Sequence, residues 1–245
     1  MRKPKMILFD YGQTLADESA FDARKGLEAV MQYAVSNPHG VTALDLREKQ
    51  LAINEELGRY IPGKPYTPSI EVPTAGVFAL LLDSFGVKLS ISGKDLDLAY
   101  WDGAMPVTPV PGIAEFLEYL EKAGIRSGVI SNISYCEEAV RERIARILPK
   151  NRFEFVLTSC RYLFRKPKKY MFETALELAG LPAEEIWYCG DRYEPDVLGP
   201  RTVGMMPVWY QGALKAPPRE EDLAEDVLQV KSWDALRAIL EEAAE

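Results

Sequence analysis

Polar residues with the chemistry of an anion or metal site follow several short apolar runs of this 245-residue sequence. Asp10 follows MILF, Ser131 ends SGVIS and Asn132 comes next, and Asp191 follows IWYCG. A carboxylate such as Asp10 can act as a nucleophile, and a hydroxyl such as that of Ser131 can donate to an anion. Carboxylates are also ligands for hard cations. The residue types therefore predict one site that combines a nucleophile, anion-binding donors and a cation.

Three further residues belong to the same predicted set. Thr14 follows Asp10 in the same loop and offers a second hydroxyl to an anion. Lys166, in FRKPKKYMF before a helical pattern, can offset negative charge, and Asp196 lies near Asp191 in CGDRYEPD. Magnesium needs few carboxylates and shares its coordination shell with phosphate and water, so acids from separate loops suit it.

Strands are needed to bring these residues together. Continuous apolar runs, typical of strands covered on both faces, lie at residues 6–9, 127–131, 153–158, 186–190, 206–210 and 227–230. Helical patterns separate them at 112–124, 134–148 and 169–180, and the first and last end at a glycine. This alternation predicts an α/β fold with a doubly wound parallel sheet that binds ligands at the carboxyl ends of its strands.

Residues 16–104, here called the insert, interrupt that alternation. Their periodic segments are helical, and no convincing strand separates them. We predict a core domain of residues 1–15 and 105–245 and an inserted helical cap domain of residues 16–104. The proline-rich stretch MPVTPVPG, residues 105–112, favours extended backbone at the return to the core. Two crossings between the domains would allow the insert to act as a lid.

Composition restricts the partners. A formal net charge of −8 disfavours nucleic acid or an anionic membrane as the main partner. No apolar run reaches the roughly 18 residues of a membrane span, and the first one is shorter than the roughly 7–15 residues of a signal-peptide core. We therefore expect a cytoplasmic protein that binds a small molecule. A homodimer is compatible with the sequence, which carries no marker of oligomeric state.

Cysteine and histidine usage excludes other chemistries. The three cysteines have no CxxC spacing, which favours reduced thiols over a disulfide framework or a zinc site. The single histidine, His39, excludes a multi-histidine metal centre, and its neighbours Pro38 and Gly40 predict a turn.

Four stretches, FDYGQTLAD, VISNIS, RKPKKYMFETAL and YCGDRYEPDVLGPRTVGM, resemble the four ordered motifs of the haloacid dehalogenase superfamily. The resemblance covers residues 5 to about 210, and the insert lies where the commonest cap of that family lies. It implies a Rossmann-like core and a hydrolase. One such motif alone would be a weak signal, whereas four in order are specific.

The resemblance also implies roles for the predicted residues. Asp10 would be the nucleophile that forms an acyl-phosphate, and Lys166 would neutralise charge. Thr14 and Ser131 would position the phosphoryl group, with Asn132 beside them as a further substrate-binding residue. The implied magnesium ligands are Asp10, the backbone carbonyl of Gly12 and Asp191, with Asp196 supporting the acidic loop.

Gly12 departs from the family pattern. Phosphatases of the family usually carry a second aspartate there, which protonates the leaving alcohol and then activates water. Positioned acid–base catalysis contributes about 10²–10⁴-fold, or roughly 3–5 kcal/mol, so its loss should slow hydrolysis of a poor leaving group. The carbonyl ligand is retained, and glycine permits backbone angles that aspartate would resist.

Three interpretations of Gly12 are open. In the first, the protein is a magnesium-dependent phosphatase of a small phosphorylated metabolite, acting through an aspartyl-phosphate at Asp10. An acidic leaving group then departs unaided, or the proton comes from a cap residue or from Tyr11, Asp17, Glu18 or His39. This interpretation is favoured because Asp10, Lys166 and Asp191 are all retained.

The other two interpretations abandon the phosphatase. The protein could be a different hydrolase, either phosphonatase-like, with a Schiff base on Lys25, Lys49 or Lys64 of the cap, or dehalogenase-like and free of metal. Alternatively, it could be a catalytically weakened protein that binds phosphate and metal. The substrate itself is not encoded in any pattern of the insert.

Overall fold

The computed structural model describes residues 2–18, 20–59, 69–213 and 227–243. The strands in these residues are β1 (Met6–Phe9), β2 (Ala16–Asp17), β3 (Ala34–Ser36), β4 (Lys88–Leu89), β5 (Thr108–Pro109), β6 (Arg126–Ser131), β7 (Val156–Thr158), β8 (Ile186–Gly190), β9 (Met206–Tyr210) and β10 (Leu228–Val230). The α-helices are α1 (Ala23–Met31), α2 (Ala43–Glu56), α3 (Thr74–Asp83), α4 (Gly93–Ala104), α5 (Ile113–Lys122), α6 (Glu137–Ile147), α7 (Ser159–Tyr162), α8 (Tyr170–Ala179), α9 (Gly199–Arg201) and α10 (Trp233–Glu242). A 3₁₀ turn at Ala183–Glu185 and a π-helical segment at Tyr193–Leu198 complete the set.

A six-stranded sheet in the order β10-β9-β8-β1-β6-β7 forms the centre of the described residues. All of its strand pairs are parallel. These are the six strands predicted from the apolar runs, so the α/β fold with a doubly wound parallel sheet is confirmed. The run at 153–158 forms a shorter strand than predicted, because only Val156–Thr158 pairs with β6.

Both faces of the sheet are covered, as the continuous apolar runs require. Every residue of β1 is fully buried, and its neighbours in sequence point to opposite faces. Phe9 packs 5.7 Å from Trp233 of α10, measured between ring centroids. Leu8 belongs to a separate cluster with Phe172 of α8. Because both faces of the sheet are buried, successive side chains of β1 point in opposite directions but are all apolar.

Two helices of the core end as the sequence predicts. Gly124 follows α5 and Gly180 caps α8, and both have positive φ, of 71° and 60°. Glycine adopts this left-handed conformation without the Cβ penalty of other residues, so the helix can terminate and the chain can turn toward the next strand.

The insert contributes α1 to α4 and adds no strand to the central sheet among the described residues. The expectation that it lacks strands was wrong, because β3 and β4 pair as a small antiparallel sheet. Strands of three and two residues are too short for a period-2 pattern to reveal them. The predicted domain boundaries, 1–15 with 105–245 and 16–104, stay a prediction.

The two crossings between core and insert lie side by side. Ala16 pairs with Pro109, and Asp17 pairs with Thr108, in the antiparallel ladder of β2 and β5. Thr108 and Pro109 of the stretch 105–112 are therefore extended, as its prolines predict, and they tie this stretch to the outgoing chain. Pro111 and Gly112 instead form a turn. In the described residues, no helix is both long and apolar enough to cross a bilayer.

Candidate active site

The carboxyl ends of three neighbouring strands define the candidate site. β1 lies between β6 and β8, so Asp10, Ser131 and Asp191 are brought to one edge of the sheet. The backbone N–H of Asp10 donates to the carbonyl of Cys189 at 2.8 Å, which continues the pairing of β1 and β8 beyond the strand. These three residues line a cavity of about 580 Å³ between the sheet edge and the insert.

Lys166 lies at the centre of the charged groups. Its Nζ donates to Oδ1 of Asp10 at 2.8 Å, to Oδ1 of Asp196 at 2.7 Å and to the hydroxyl of Tyr188. An ammonium has three donors, so all of them are used. The side chain is only 1% exposed, which makes these partners necessary for a buried cation. The predicted role of Lys166 in offsetting negative charge therefore has a structural basis.

The sequence analysis did not identify Tyr188 as a site residue. It belongs to the apolar run of β8, where a tyrosine reads as a core residue, and nothing in the run indicates which way its hydroxyl points. In the structure the hydroxyl donates to the carbonyl of Ile130 at 3.1 Å and accepts from Lys166. Tyr188 thus links β6 and β8 beneath the charged cluster.

Asn132 holds the backbone of Lys166. Its Nδ2 donates to the Lys166 carbonyl at 2.9 Å, and its Oδ1 accepts from the Lys166 N–H at 2.7 Å. Both ends of the amide are therefore engaged by one residue of a distant loop. Asn132 also lines the cavity, and its predicted role in substrate binding stays a prediction beside this positioning role.

Asp10, Asp191 and Asp196 form an acid cluster, a term used below for these three carboxylates. One oxygen of each lies within 4.8 Å of one oxygen of the others. Oδ2 of Asp196 accepts from the backbone N–H of Arg192 at 3.0 Å, which fixes its orientation. With all groups ionised, three carboxylates and the Lys166 ammonium carry a net charge of −2. The acid cluster is thus short of positive charge by the amount that a divalent cation carries.

The proton affinities of the cluster reflect this imbalance. Burial raises the pKa of Asp10, and the charge of Asp196 raises it further, against the attraction of Lys166. Burial, followed by the charges of Asp10 and Asp196, raises the pKa of Asp191 to about 8. Burial alone would lower the pKa of Lys166, but the attraction of Asp10 and Asp196 outweighs it and raises that pKa. These directions are those of buried carboxylates that lie beside like charges.

The donor set fits magnesium. Carboxylate oxygens from two loops and a backbone carbonyl are the hard oxygen ligands that this ion prefers. Gly12 lines the same cavity as the acid cluster, as the implied carbonyl ligand must. Asp10, Asp191 and the Gly12 carbonyl would hold the ion, and Asp196 is shared with Lys166.

The backbone argument for Gly12 was wrong. The left-handed conformation in this loop belongs to Gln13, with a φ of 57°, and not to Gly12. A Cβ added at Gly12 would meet no atom within 4 Å. Glycine at this position is therefore required neither by backbone angles nor by packing, and its effect is to leave open space beside Asp10.

Thr14 is not among the described residues that line the cavity. It is fully buried, and within the described part of the chain its hydroxyl has no hydrogen-bond partner. Ser131, by contrast, lines the cavity and is 3% exposed. Ser131 thus shares the cavity with the acid cluster, whereas Thr14 does not line it, and the substrate-binding roles of both stay predictions.

A second carboxylate region lies at the far end of residues 10–18, the segment after β1 that is here called the motif loop. The hydroxyl of Tyr11 donates to Oε1 of Glu18 at 3.1 Å, and Nη2 of Arg143 donates to the same oxygen at 3.0 Å. Arg143 is fully buried and is shared with Asp102 of α4 and with the carbonyl of Met105. Glu18 lines the cavity that contains Asp10.

The insert forms the opposite wall of the cavity. Nη1 of Arg47 donates to Oε1 of Gln50 at 2.8 Å, and Nε2 of Gln50 donates to the hydroxyl of Tyr100 at 3.2 Å. Asn54 and Phe78 line the cavity beside them. The sequence analysis did not identify these residues. A helical pattern in the insert does not show which helix faces lie against the cavity and which lie in the core or at the surface.

Several candidates from the sequence do not reach the cavity. His39 is exposed, and neither His39 nor Asp17 is among the described lining residues. Lys25 and Lys49 are exposed and do not line it either. Lys64 lies outside the described residues.

The acid cluster and the buried Lys166 thus lie together at the ends of the central strands of a parallel sheet. Residues 4–204 match the haloacid dehalogenase-like hydrolase family. The chain belongs to this family, and the protein is a hydrolase.

The chain is similar to two enzymes and to one solved structure across most of its length. The chain is 28% identical to the glyceraldehyde 3-phosphate phosphatase of Pyrococcus furiosus over 226 residues, which covers 86% of this chain and 82% of the relative. It is 26% identical to a pyrimidine 5'-nucleotidase of Escherichia coli, with 88% of each chain covered. A solved 2-haloacid dehalogenase from Pseudomonas syringae shares the fold, with a TM-score of 0.63, 22% identity and coverage of 98% of this chain and 99% of that one.

Proposed function

We propose that this hydrolase is a magnesium-dependent phosphatase that acts on a small phosphorylated metabolite through an aspartyl-phosphate at Asp10. The acid cluster around Lys166 carries the proposal. Asp10 lies at the cavity, and its contact with Lys166 at 2.8 Å keeps the nucleophilic carboxylate oriented. Two of the relatives are named as a glyceraldehyde 3-phosphate phosphatase and a pyrimidine 5'-nucleotidase, which supports a phosphate ester as substrate.

Separate residues would serve as the nucleophile, the orienting cation and the phosphate-binding donor in phosphoryl transfer. The second oxygen of Asp10 attacks phosphorus while Lys166 holds Oδ1. The Ser131 hydroxyl, which lines the cavity, would donate to a phosphoryl oxygen. Magnesium, when bound, would neutralise charge on the phosphoryl oxygens. The insert wall would cover the remainder of the substrate and exclude water. A cytoplasmic location and a homodimer remain predictions.

The alternative hydrolases receive less support. A Schiff-base mechanism needs a lysine at the cavity, and within the described residues Lys166 is the lysine that lines it. Lys166 is already bonded to two carboxylates, which hold it as an ammonium. In a metal-free dehalogenase, protons alone would have to balance the net negative charge of the acid cluster, which includes the proposed nucleophile Asp10.

The test is hydrolysis of para-nitrophenyl phosphate, whose leaving group needs little protonation, with and without magnesium. We expect magnesium-dependent turnover that Asp10→Asn abolishes, and trapping of a covalent phosphoryl group in the wild-type protein. If magnesium produces no turnover but inorganic phosphate still raises the melting temperature, the protein binds phosphate and metal without catalysis. Turnover that survives in Asp10→Asn would refute the nucleophile.

A further inference from the structure

The proposed phosphatase lacks a side chain at Gly12, where the family's proton carrier usually stands. We propose that Glu18 replaces it, as the general acid for the leaving oxygen and the general base for water. This inference rests on the proposed function and assigns a catalytic role to a residue outside the family's four motifs. It follows from the folding of the motif loop, from the groups that line the cavity and from the partners of Glu18.

The motif loop returns Glu18 to the nucleophile's side of the molecule. The backbone N–H of Gln13 donates to the carbonyl of Ala16 at 2.7 Å, and Nε2 of Gln13 donates to the carbonyl of Glu18 at 2.9 Å. The chain therefore folds back on itself after Asp10. Glu18 reaches the hydroxyl of Tyr11, its neighbour across this turn, and lines the cavity together with Asp10 and Gly12.

Elimination among the lining groups favours Glu18. The carboxylates that line the cavity within the described ranges are those of the acid cluster and Glu18. The acid cluster is committed to Lys166 and to the metal, so it cannot exchange a proton with the leaving group. Tyr11 is the nearest rival, but its hydroxyl already donates to Glu18, and burial raises its pKa far above the neutral range.

The surroundings of Glu18 allow both protonation states. Burial raises its pKa to about 7, and Arg143 only partly opposes this effect. The guanidinium is shared with Asp102 and the Met105 carbonyl, so its attraction for Glu18 is divided. Within the described residues, the titratable or charged groups that contact Glu18 are thus Tyr11 from the motif loop and Arg143 from α6. Asp102 of α4 binds the same arginine, and the indole of Trp101, also from α4, lies beside Glu18. A carboxyl that titrates near neutral pH suits acid–base catalysis.

The proposed cycle balances in two steps. First, an Asp10 oxygen forms a bond to phosphorus, the bond from phosphorus to the leaving oxygen breaks, and that oxygen takes the Glu18 proton to leave as an alcohol. Glu18 is then a carboxylate that Arg143 and Tyr11 stabilise. Second, water gives a proton to Glu18 as its oxygen bonds to phosphorus, and the bond between phosphorus and Asp10 breaks. Inorganic phosphate leaves, and both carboxyl groups return to their starting states.

The primary test compares an alkyl phosphate with para-nitrophenyl phosphate in Glu18→Gln. The alkyl kcat/KM should fall about 100-fold or more, whereas the aryl kcat/KM should change less than about threefold, because nitrophenolate leaves without a proton. Loss of the base should also slow the second step. We therefore expect a burst of one equivalent of nitrophenolate followed by slow turnover.

Asp102→Asn is the matched control. It removes a different carboxylate from the same Arg143 and therefore disturbs the ion-pair network without touching the proposed acid. The alkyl-to-aryl ratio should stay within about threefold of the wild-type value at pH 6. An equal loss on both substrates in Glu18→Gln, or the same loss of the ratio in Asp102→Asn, would make Glu18 a structural residue and overturn the proposal.

The wild-type protein provides a test that does not depend on the folding of a variant. With saturating magnesium, the pH dependence that comes from the metal site and from Asp10 is common to both substrates. It therefore cancels in the ratio of alkyl to aryl kcat/KM. The ratio should fall as pH rises above about 7, because the protonated fraction of Glu18 falls. A ratio independent of pH would refute Glu18 as the acid. Absence of aryl turnover at every pH would instead refute the proposed phosphatase, so the two failures are distinguishable.

Discussion

Tyr188 determines how completely the buried ammonium of Lys166 is satisfied. The lysine has three donors and three partners, and the tyrosine is the uncharged one. Its hydroxyl lies between Lys166 and the carbonyl of Ile130. The residue therefore stabilises the site without adding charge to it, which a carboxylate in its place would do.

Tyr188→Phe should leave one donor of Lys166 unsatisfied while preserving the packing of the ring against Phe172. We expect the free energy of unfolding to fall by about 1–3 kcal/mol. Aryl phosphatase activity should fall as well, because Lys166 and Asp10 become less well ordered. Denaturant titration and steady-state kinetics measure the two effects. Tyr210→Phe, which alters a buried tyrosine stacked on Trp233 away from the site, is the control and should retain activity.

Gly12→Asp tests whether the open space beside Asp10 faces the leaving group. The added Cβ meets no atom within 4 Å, so the variant should fold. In a Glu18→Gln background it should restore alkyl phosphate hydrolysis by about 10-fold or more, because a carboxyl group is again available. The added negative charge should also make stability depend more strongly on magnesium. Unchanged alkyl turnover would show that this space points away from the scissile bond.

At the scale of elements, the sheet was predictable and the small strands of the insert were not. The six central strands are continuous apolar runs because helices cover both faces, and such burial is visible in a single sequence. The pairing of β3 with β4 depends on tertiary contact between segments that are far apart in the chain. Likewise, the positions of Asp10, Ser131 and Asp191 follow from strand ends, whereas the partners of Asn132 and Tyr188 depend on strand order.

Asn132 connects the end of β6 to the loop that carries Lys166. Asn132→Ala removes two hydrogen bonds to the Lys166 backbone, of 2.9 and 2.7 Å. We expect kcat to fall about 10- to 100-fold, since small misplacements of a catalytic group are costly. Asn132→Asp keeps the acceptor for the Lys166 N–H and should be intermediate. An increase in KM at constant kcat would instead support the predicted direct contact with substrate.

At the scale of the whole molecule, the insert is fastened to the loop that precedes Lys166. Glu71 of the insert accepts from Arg165 and, at 2.7 Å, from the hydroxyl of Ser159. The backbone N–H of Glu71 donates to the carbonyl of Leu163, and that of Arg165 donates to the carbonyl of Ser69. Movement of the insert as a lid would therefore displace the chain next to Lys166.

Glu71→Gln should weaken this attachment strongly. Glu71 and Arg165 are 3% and 7% exposed, so the variant removes a carboxylate charge that faces a buried guanidinium. We expect a loss of about 3 kcal/mol in the free energy of unfolding, with reduced kcat, because Arg165 adjoins Lys166. Glu118→Gln, which breaks an exposed pair with Lys150, should change neither stability nor activity measurably. Equal effects of the two variants would contradict a specific role for the buried pair.

The empty space over Gly12 has a consequence for chemical probes. A phosphonate inhibitor with a short branch on the atom next to phosphorus could place that branch where a Cβ would meet nothing within 4 Å. A phosphatase with an aspartate at this position would disfavour the same branch by steric clash and by desolvation of its carboxyl group. The missing side chain thus provides a way to inhibit this protein selectively over phosphatases that have an aspartate at the same position.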